Sequence, residues 1–440
     1  VGKVIAFVHG YNPLHGMGGG ASYFRTHARA AARLGYEPHL FYAARVATLV
    51  KTEYGIVHEA RRSRLNPLPK DGDLEIAARK CVLGWQAPRV AAAMARFLAA
   101  LPGPHVIHGI SAWGYTALLA AEMLRQQGIA ASVVSSVYTT AEHESGMKAR
   151  RAALVGAPLA RLATRLEHAA HRRFVVPLEG RLFAESRIVT LNYEAVHRLF
   201  LKAHGPGTEV RKLPYAAESA FLHPAAEPPG PLPAPLATLT PRAAPLIMSV
   251  SRHDPRKGLD VFIRALARLR DRGVSVRACL ISGGFLLGEH RRLAERLGLA
   301  DIVAFPGWVS DPYEYLRHAD VFVLPSFQEA SGALSLLEAL QAGVSIVASN
   351  IDGIPEDVTD GDSALLVPPG DVAALSDALE RLVADRILRE RLARRARETF
   401  EARFSVEAFT RALGDLYADM GIGIGPGYDG LSTAGAAGDA

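Results

Sequence analysis

Short apolar runs alternate with segments of helical apolar spacing along nearly the whole chain, and this alternation most restricts what it can fold into. Runs of four to eight apolar residues bounded by turn formers read as buried strands, and longer stretches of 3.6 period read as helices. Strands are expected at 4–8, 38–43, 106–108, 131–137 and 188–191, with helices at 22–34 and 116–125. A Pro- and Ala-rich stretch at 224–245 interrupts the pattern. Proline lacks an amide hydrogen and fixes φ, so an exposed loop without helix or central strand is expected there, at a domain junction. The alternation then restarts, with strands at 246–250, 276–282, 302–305, 321–324, 345–348 and 364–367 and helices at 259–270, around 289–296 and at 372–384, the last behind Asp371 as N-cap.

Such a pattern implies parallel sheets covered by helices on both faces, the α/β class. Two Rossmann-like, doubly wound domains facing across a cleft are the simplest arrangement, with ligands at the carboxyl ends of the strands. The expected division is 1–222 as a first domain, 223–245 as linker and 246–404 as a second domain. A closing helix follows at 405–420, and 421–440, rich in Gly and Ala without apolar period, is expected to be a disordered tail.

A length of 440 residues with 49% hydrophobic and 21% charged content fits two ordinary globular domains and excludes a disordered or fibrous chain. The formal charge of +6 favours anionic partners such as phosphates or anionic lipid heads. No dense Lys/Arg run interleaves with aromatics, so no nucleic-acid partner is expected. Cys81 and Cys279 stand far apart with no CxxC or zinc spacing, which suits a reducing compartment. No apolar stretch of membrane-spanning length occurs, and the chain opens directly into a strand without a signal-like segment, so a cytoplasmic location is expected.

The residues suited to chemistry fall in order between Ser249 and Gly370. Arg252 and Lys257 follow the strand at 246–250, where two fixed cations could hold a diphosphate whose charge grows as it leaves. Trp308 and Val309 follow another strand, where backbone can meet a base edge and an aromatic can cover it. Ser331, Gly332, Ala333 and Leu334 open a helix whose free N–H groups suit an anion. Glu329 precedes that helix and could reach a sugar, while Glu338 inside it could accept from ribose hydroxyls. Each feature also has a plain structural reading: exposed basic residues in a helix-start loop, a turn with a packed Trp, a capped helix with two unrelated acids.

Taken together, the series Ser-Arg-x4-Lys-Gly, Leu-Pro-Ser, two acids around a helix start, Gly-Ile-Pro-Glu and Leu-Val-Pro-Pro-Gly-Asp resembles the family 4 retaining glycosyltransferases. The resemblance runs from about 246 to 400. It implies a GT-B fold, a nucleotide-diphosphate sugar as co-substrate, and no metal or other cofactor. It also implies that Arg252 and Lys257 grip the diphosphate, that Glu338 binds ribose, that Glu329 lies by the donor sugar, and that the helix at 406–420 crosses back onto the first domain. The chain departs from the family where eight residues, not the usual seven, separate Glu329 from Glu338. Ser345 stands where Pro is common, and the Gly-x-Gly turn reads Ser282-Gly283-Gly284-Phe285.

In the first half, Gly18, Gly19 and Gly20 resemble the family's glycine-rich loop, which lets backbone approach the donor. His108, Tyr138 and His143 are the acceptor-side candidates. The acceptor is a hydroxyl on a sugar, a lipid-linked glycan or a small metabolite. The basic stretch 148–181 is a candidate for peripheral membrane contact at the inner face, or simply a pair of solvated helices. Three other readings stand beside the transferase: a non-catalytic nucleotide-sugar-binding protein, a GT-B epimerase or phosphorylase, and, remotely, an α/β-hydrolase with Ser111 in a nucleophile elbow.

Overall fold

Parallel strands need crossovers long enough to hold a helix, and the chain supplies them in two separate sheets. The computed structural model describes residues 3–16, 19–61, 83–155, 158–207, 209–223, 229–329 and 331–421, with backbone alone at 148, 151–155 and 158–160. The first sheet holds β1 (Lys3–Val8), β2 (Tyr36–Ala44), β3 (Leu49–Thr52), β4 (Gly55–Arg61), β5 (His105–Ile110), β6 (Ala131–Val137), β7 (Ile188–Leu191) and β8 (Glu209–Lys212). Its order is β3-β4-β2-β1-β5-β6-β7-β8, parallel except for the β3–β4 pair. The second holds β9 (Leu246–Val250), β10 (Arg277–Ile281), β11 (Val303–Gly307), β12 (Val321–Leu324), β13 (Ser345–Ser349) and β14 (Leu365–Val367). Its order is β11-β10-β9-β12-β13-β14, parallel throughout.

The central strands are buried on both faces, which is why they read as unbroken apolar runs. Ile5 to Val8 and all four residues of β12 are buried. Strands the periodicity did not mark, β3, β4 and β8, lie at the sheet's margins; β8 is Glu-Val-Arg-Lys and mostly exposed. Strand order reverses between β1 and β5 and again between β9 and β12, and each reversal opens a crevice at the carboxyl ends of the strands.

The Pro-rich stretch departs from expectation. A short helix forms at Ala234–Ala237, and Leu236 and Leu239 are buried. Pro235 sits in the first turn, where a missing N–H leaves nothing unsatisfied. Thr240 N donates to Asp301 O at 3.2 Å, tying the stretch to the second domain. Residues 224–228 of the expected linker and 422–440 of the expected tail lie outside the described residues. The closing helix, Val406–Asp419, packs on the Gly19–Arg33 helix of the first sheet. No helix among the described residues is long and apolar enough to cross a membrane.

Candidate functional site

The crevice between β9 and β12 gathers most of the charged residues singled out from sequence. After β9, Asp254 caps the short turn Pro255–Lys257, its Oδ1 accepting from Arg256 N at 2.9 Å. Its Oδ2 lies 3.4 Å from Nη2 of both Arg252 and Arg256. Burial would raise the Asp254 pKa, but the charges of Arg256, Arg252 and Lys257 win and hold it at about 2. Gly258 ends the turn at φ 62°, and a Cβ there would stand 2.1 Å from Pro325 O. Only glycine lets the β9 loop approach the β12 loop so closely.

Lys257 Nζ donates to both oxygens of Glu329, at 2.7 and 2.6 Å. Ser326 Oγ donates to the same carboxylate. Glu329 N donates to Asp352 Oδ2 at 2.7 Å. Asp352 itself holds φ 49°, a conformation costly for a side-chain-bearing residue and met mostly where surroundings enforce it. Three loops, after β9, β12 and β13, therefore converge on one cation–carboxylate centre.

Glu338 lies elsewhere on the same loop–helix unit. It is half-buried on the Leu334–Ala342 helix, and burial, with repulsion from Asp311 and Glu218, pushes its carboxyl up to about 8. Asp311 belongs to the loop that carries Trp308 and Val309. Trp308 is half exposed and closes over Gly283, where a Cβ would meet its Nε1 at 2.1 Å. Val309 is partly buried against the core. Ser345, the residue in place of the usual Pro, donates to Asp320 O at 2.8 Å.

The first domain completes the cleft. Gly19 and Gly20 form the first turn of the Gly19–Arg33 helix, not the loop before it. A Cβ on Gly19 would lie 3.4 Å from Cδ1 of Leu334, so the two helix starts meet across the cleft. Gly18 lies outside the described residues. Arg25 on that helix steadies the turn, donating to Pro13 O and Gly16 O at 3.2 and 3.0 Å and pairing with Glu218.

Two acceptor-side candidates reach this region and one does not. The helix Ala141–Val155 packs on the Pro255–Lys257 turn. His143, on that helix, is held below its ordinary pKa by burial, and it feels the charges of Asp352, Arg256 and Glu144. Tyr138 stacks on Tyr23 with ring centres 3.9 Å apart. Tyr23 in turn interacts with Ser331 and feels Glu329. His108 must be corrected: it is fully buried, its Nδ1 2.9 Å from Tyr417 Oη and its Nε2 2.6 Å from Ser136 Oγ. It holds the closing helix to the sheet and offers nothing to an acceptor. Ser111 does take a left-handed turn, φ 55°, at the start of the short turn Ser111–Trp113 ahead of the Gly114–Arg125 helix, but the paired charges gather in the other sheet, so the hydrolase reading lapses.

Sequence reasoning missed Asp254, Arg256 and Asp352. Asp254-Pro255 and Asp352-Gly353 each carried a turn signal; that Asp352 meets Glu329 carried none, because the two lie 23 positions apart.

The glycosyl transferases group 1 family matches residues 237–399. The chain is 37% identical over 179 residues to the lipopolysaccharide core biosynthesis glycosyltransferase LpsE of Rhizobium meliloti (strain 1021), covering 41% of this chain and 51% of that one. It thus spans about half the length of the first curated relatives it matches. It is 30% identical over 288 residues to the GDP-mannose-dependent alpha-(1-6)-phosphatidylinositol monomannoside mannosyltransferase of Mycobacterium tuberculosis (strain CDC 1551 / Oshkosh), covering 59% of this chain and 73% of that one. Among solved structures, sucrose-phosphate synthase from Thermosynechococcus elongatus superposes with a TM-score of 0.69 over 95% of this chain and 99% of that one, at 21% identity. The fold is GT-B, and the chain belongs to the glycosyl transferases group 1 family.

Proposed function

We propose that the chain is a retaining glycosyltransferase that moves a sugar from a nucleotide diphosphate to a hydroxyl acceptor, without a metal. The observation that carries this reading is the pairing of Lys257 with Glu329 at the β9–β12 reversal, beside Arg252. A diphosphate arriving there meets two cations and the N-terminus of the Leu334–Ala342 helix, whose dipole favours an anion. As the sugar–oxygen bond breaks, charge accumulates on the departing diphosphate, and fixed cations stabilise that state more than the ground state. Glu329, held by Lys257, lies where a donor sugar would reach it. Glu338 and the Trp308–Val309 loop take the ribose and base. The acceptor enters from the side of His143 and Tyr138, and the Gly19–Gly20 turn closes over the donor.

Arg252 and Lys257 are the residues whose loss should lower transfer by about 100-fold or more. Incubation with nucleotide sugars and a panel of sugar, glycolipid and metabolite acceptors should release nucleoside diphosphate only when an acceptor is glycosylated. Binding without release would favour a non-catalytic nucleotide-sugar binder, and interconversion of the donor sugar alone would favour an epimerase.

The helix Pro158–Phe174 supports a peripheral location at the inner membrane face. It exposes Leu162, Leu166 and Phe174 among the exposed Arg161, Arg165, Arg172 and Arg173, the composition of an interfacial helix. The protein should sediment with vesicles containing anionic lipid at low salt and not with neutral ones; equal recovery with both would refute membrane contact.

A further inference from the structure

The two domains are joined by a polar seat that reaches the donor loop. Tyr193 follows β7 and precedes the helix Glu194–His204, which has no side-chain cap of its own. The cap comes from the other domain. Glu194 N and Ala195 N each donate to the Glu356 carboxylate at 2.9 Å, and Lys212 Nζ donates to it at 2.9 Å. Tyr193 Oη donates to Asp357 Oδ2 at 2.5 Å, with Asp357 buried and its Oδ1 left without a partner. Arg403 donates to the backbone carbonyls of Glu356 and Asp357, holding that turn from behind.

The seat touches the candidate site directly. A Cβ on Gly332 would lie 2.1 Å from Tyr193 Oη and 2.4 Å from Asp357 Oδ2, and one on Gly353 would lie 2.7 Å from the Tyr193 ring. Gly332 is the residue before Ala333, the N-cap of the Leu334–Ala342 helix. The loop here lies within the eight residues between Glu329 and Glu338. It has small side chains, and its own side-chain bond, Ser331 Oγ to Gly332 O, is long at 3.4 Å. Tyr23 reaches the Ser331 side chain, and the phenol of Tyr193 and the carboxyl of Asp357 pack against the Gly332 backbone.

We infer that Tyr193, seated on Glu356 and Asp357, is a positioning residue for the donor site: it fixes the Ser331–Gly332 backbone so that the helix N-terminus is aimed at the donor diphosphate, and it does so only when the domains are closed. The inference rests on the proposed glycosyltransferase reading, which supplies the diphosphate. Through Tyr193 the first domain shapes the donor site from behind, without that residue touching the donor. The Glu356 contact acts in the same direction, since it holds the helix that carries Tyr193.

Hydrogen exchange on the free protein and calorimetric binding of UDP and GDP test it with Tyr193→Phe and Glu356→Gln. Expected in both variants is faster amide exchange across 331–336, with nucleotide binding and donor KM weakened about tenfold, the scale of one lost hydrogen bond to a buried carboxyl. Acceptor KM should stay within about twofold, a split that general destabilisation would not produce. Unchanged exchange at 331–336 overturns the inference outright. Faster exchange with unchanged nucleotide affinity overturns the positioning role while leaving the transferase reading standing. If the wild-type protein binds neither nucleotide, the transferase reading falls and the donor-site role with it.

Discussion

Lys257 is neutralised by Glu329 before any ligand is present, and this defines what a substitution there would do. Lys257→Ala removes a transition-state cation and also strands a buried carboxylate, whereas Arg252→Ala removes a cation that is about a third exposed. Both should lower turnover by about 100-fold or more, the range seen when one charge-stabilising group is lost. Only Lys257→Ala should also lower the melting temperature, and Lys257→Ala with Glu329→Gln should recover that loss without recovering turnover. Near-normal turnover in both single variants would remove the site. Glu338 is a different kind of acid. Its folded-state pKa is raised, so its contribution to stability is present at low pH and is lost as pH rises from about 4.3 through about 8. Glu338→Gln should therefore raise the melting temperature at pH 8.5 relative to wild type while weakening nucleotide-sugar binding. A lower melting temperature at pH 8.5 would contradict that assignment. Arg252, Lys257 and the two acids were legible in the sequence as residue types in a given order. Their pairing was not: Lys257 and Glu329 are 72 positions apart, and no periodicity connects them.

At the scale of elements, the Val406–Asp419 helix shows how a distant segment completes a domain. Phe409, Leu413, Leu416 and Tyr417 are buried, and Gly414 allows close approach to Leu34. Tyr417 Oη lies 2.9 Å from Nδ1 of His108, inside the first sheet's core. Tyr417→Phe should cost about 1 kcal/mol, one buried hydrogen bond, and Tyr417→Ala about 3–5 kcal/mol, a cavity of aromatic size. Equal costs in chemical denaturation would mean that the His108 bond carries the docking and the ring does not. The helix and its crossing were expected from the family resemblance, not from a local signal. Two other elements show where local signals mislead. The glycines at 19 and 20 suggested a loop, yet they begin a helix, because Gly20 must leave room for the Tyr11 ring, 2.3 Å from where its Cβ would stand. The prolines at 231–245 suggested an open linker, yet Pro235 begins a helical turn and Leu236 is buried. In both cases packing, against Tyr11 of the preceding loop and against β11, overrode a propensity worth about 1 kcal/mol per residue.

Across the whole molecule, buried titratable groups set the response to pH. Burial lowers His27, His39, His58 and His290 to about 4 and His253 to about 3. Their folded values are depressed, so the stability they contribute is present above about 6.5 and is lost as pH falls toward 4. Glu338 and Asp357, raised to about 8 and about 7, act in the opposite sense and favour the folded state at lower pH. Five histidines outweigh two acids between pH 7 and 5, so the melting temperature should peak near neutrality and fall on acidification to pH 5. A flat or rising profile over that interval would contradict the buried, neutral state of the histidines. The sequence by itself determined the class of the molecule: two parallel sheets with covering helices, a break between them, and a basic loop and an acidic helix start in the second half. These follow from local rules, apolar period and turn chemistry, that each segment obeys without its partners. Only the tertiary structure decided which charges meet, that His108 is a core bond and not a ligand, and that Tyr193 of one domain presses on Gly332 of the other. Those outcomes depend on strand order and domain closure, which bring together residues whose separation along the chain carries no signal.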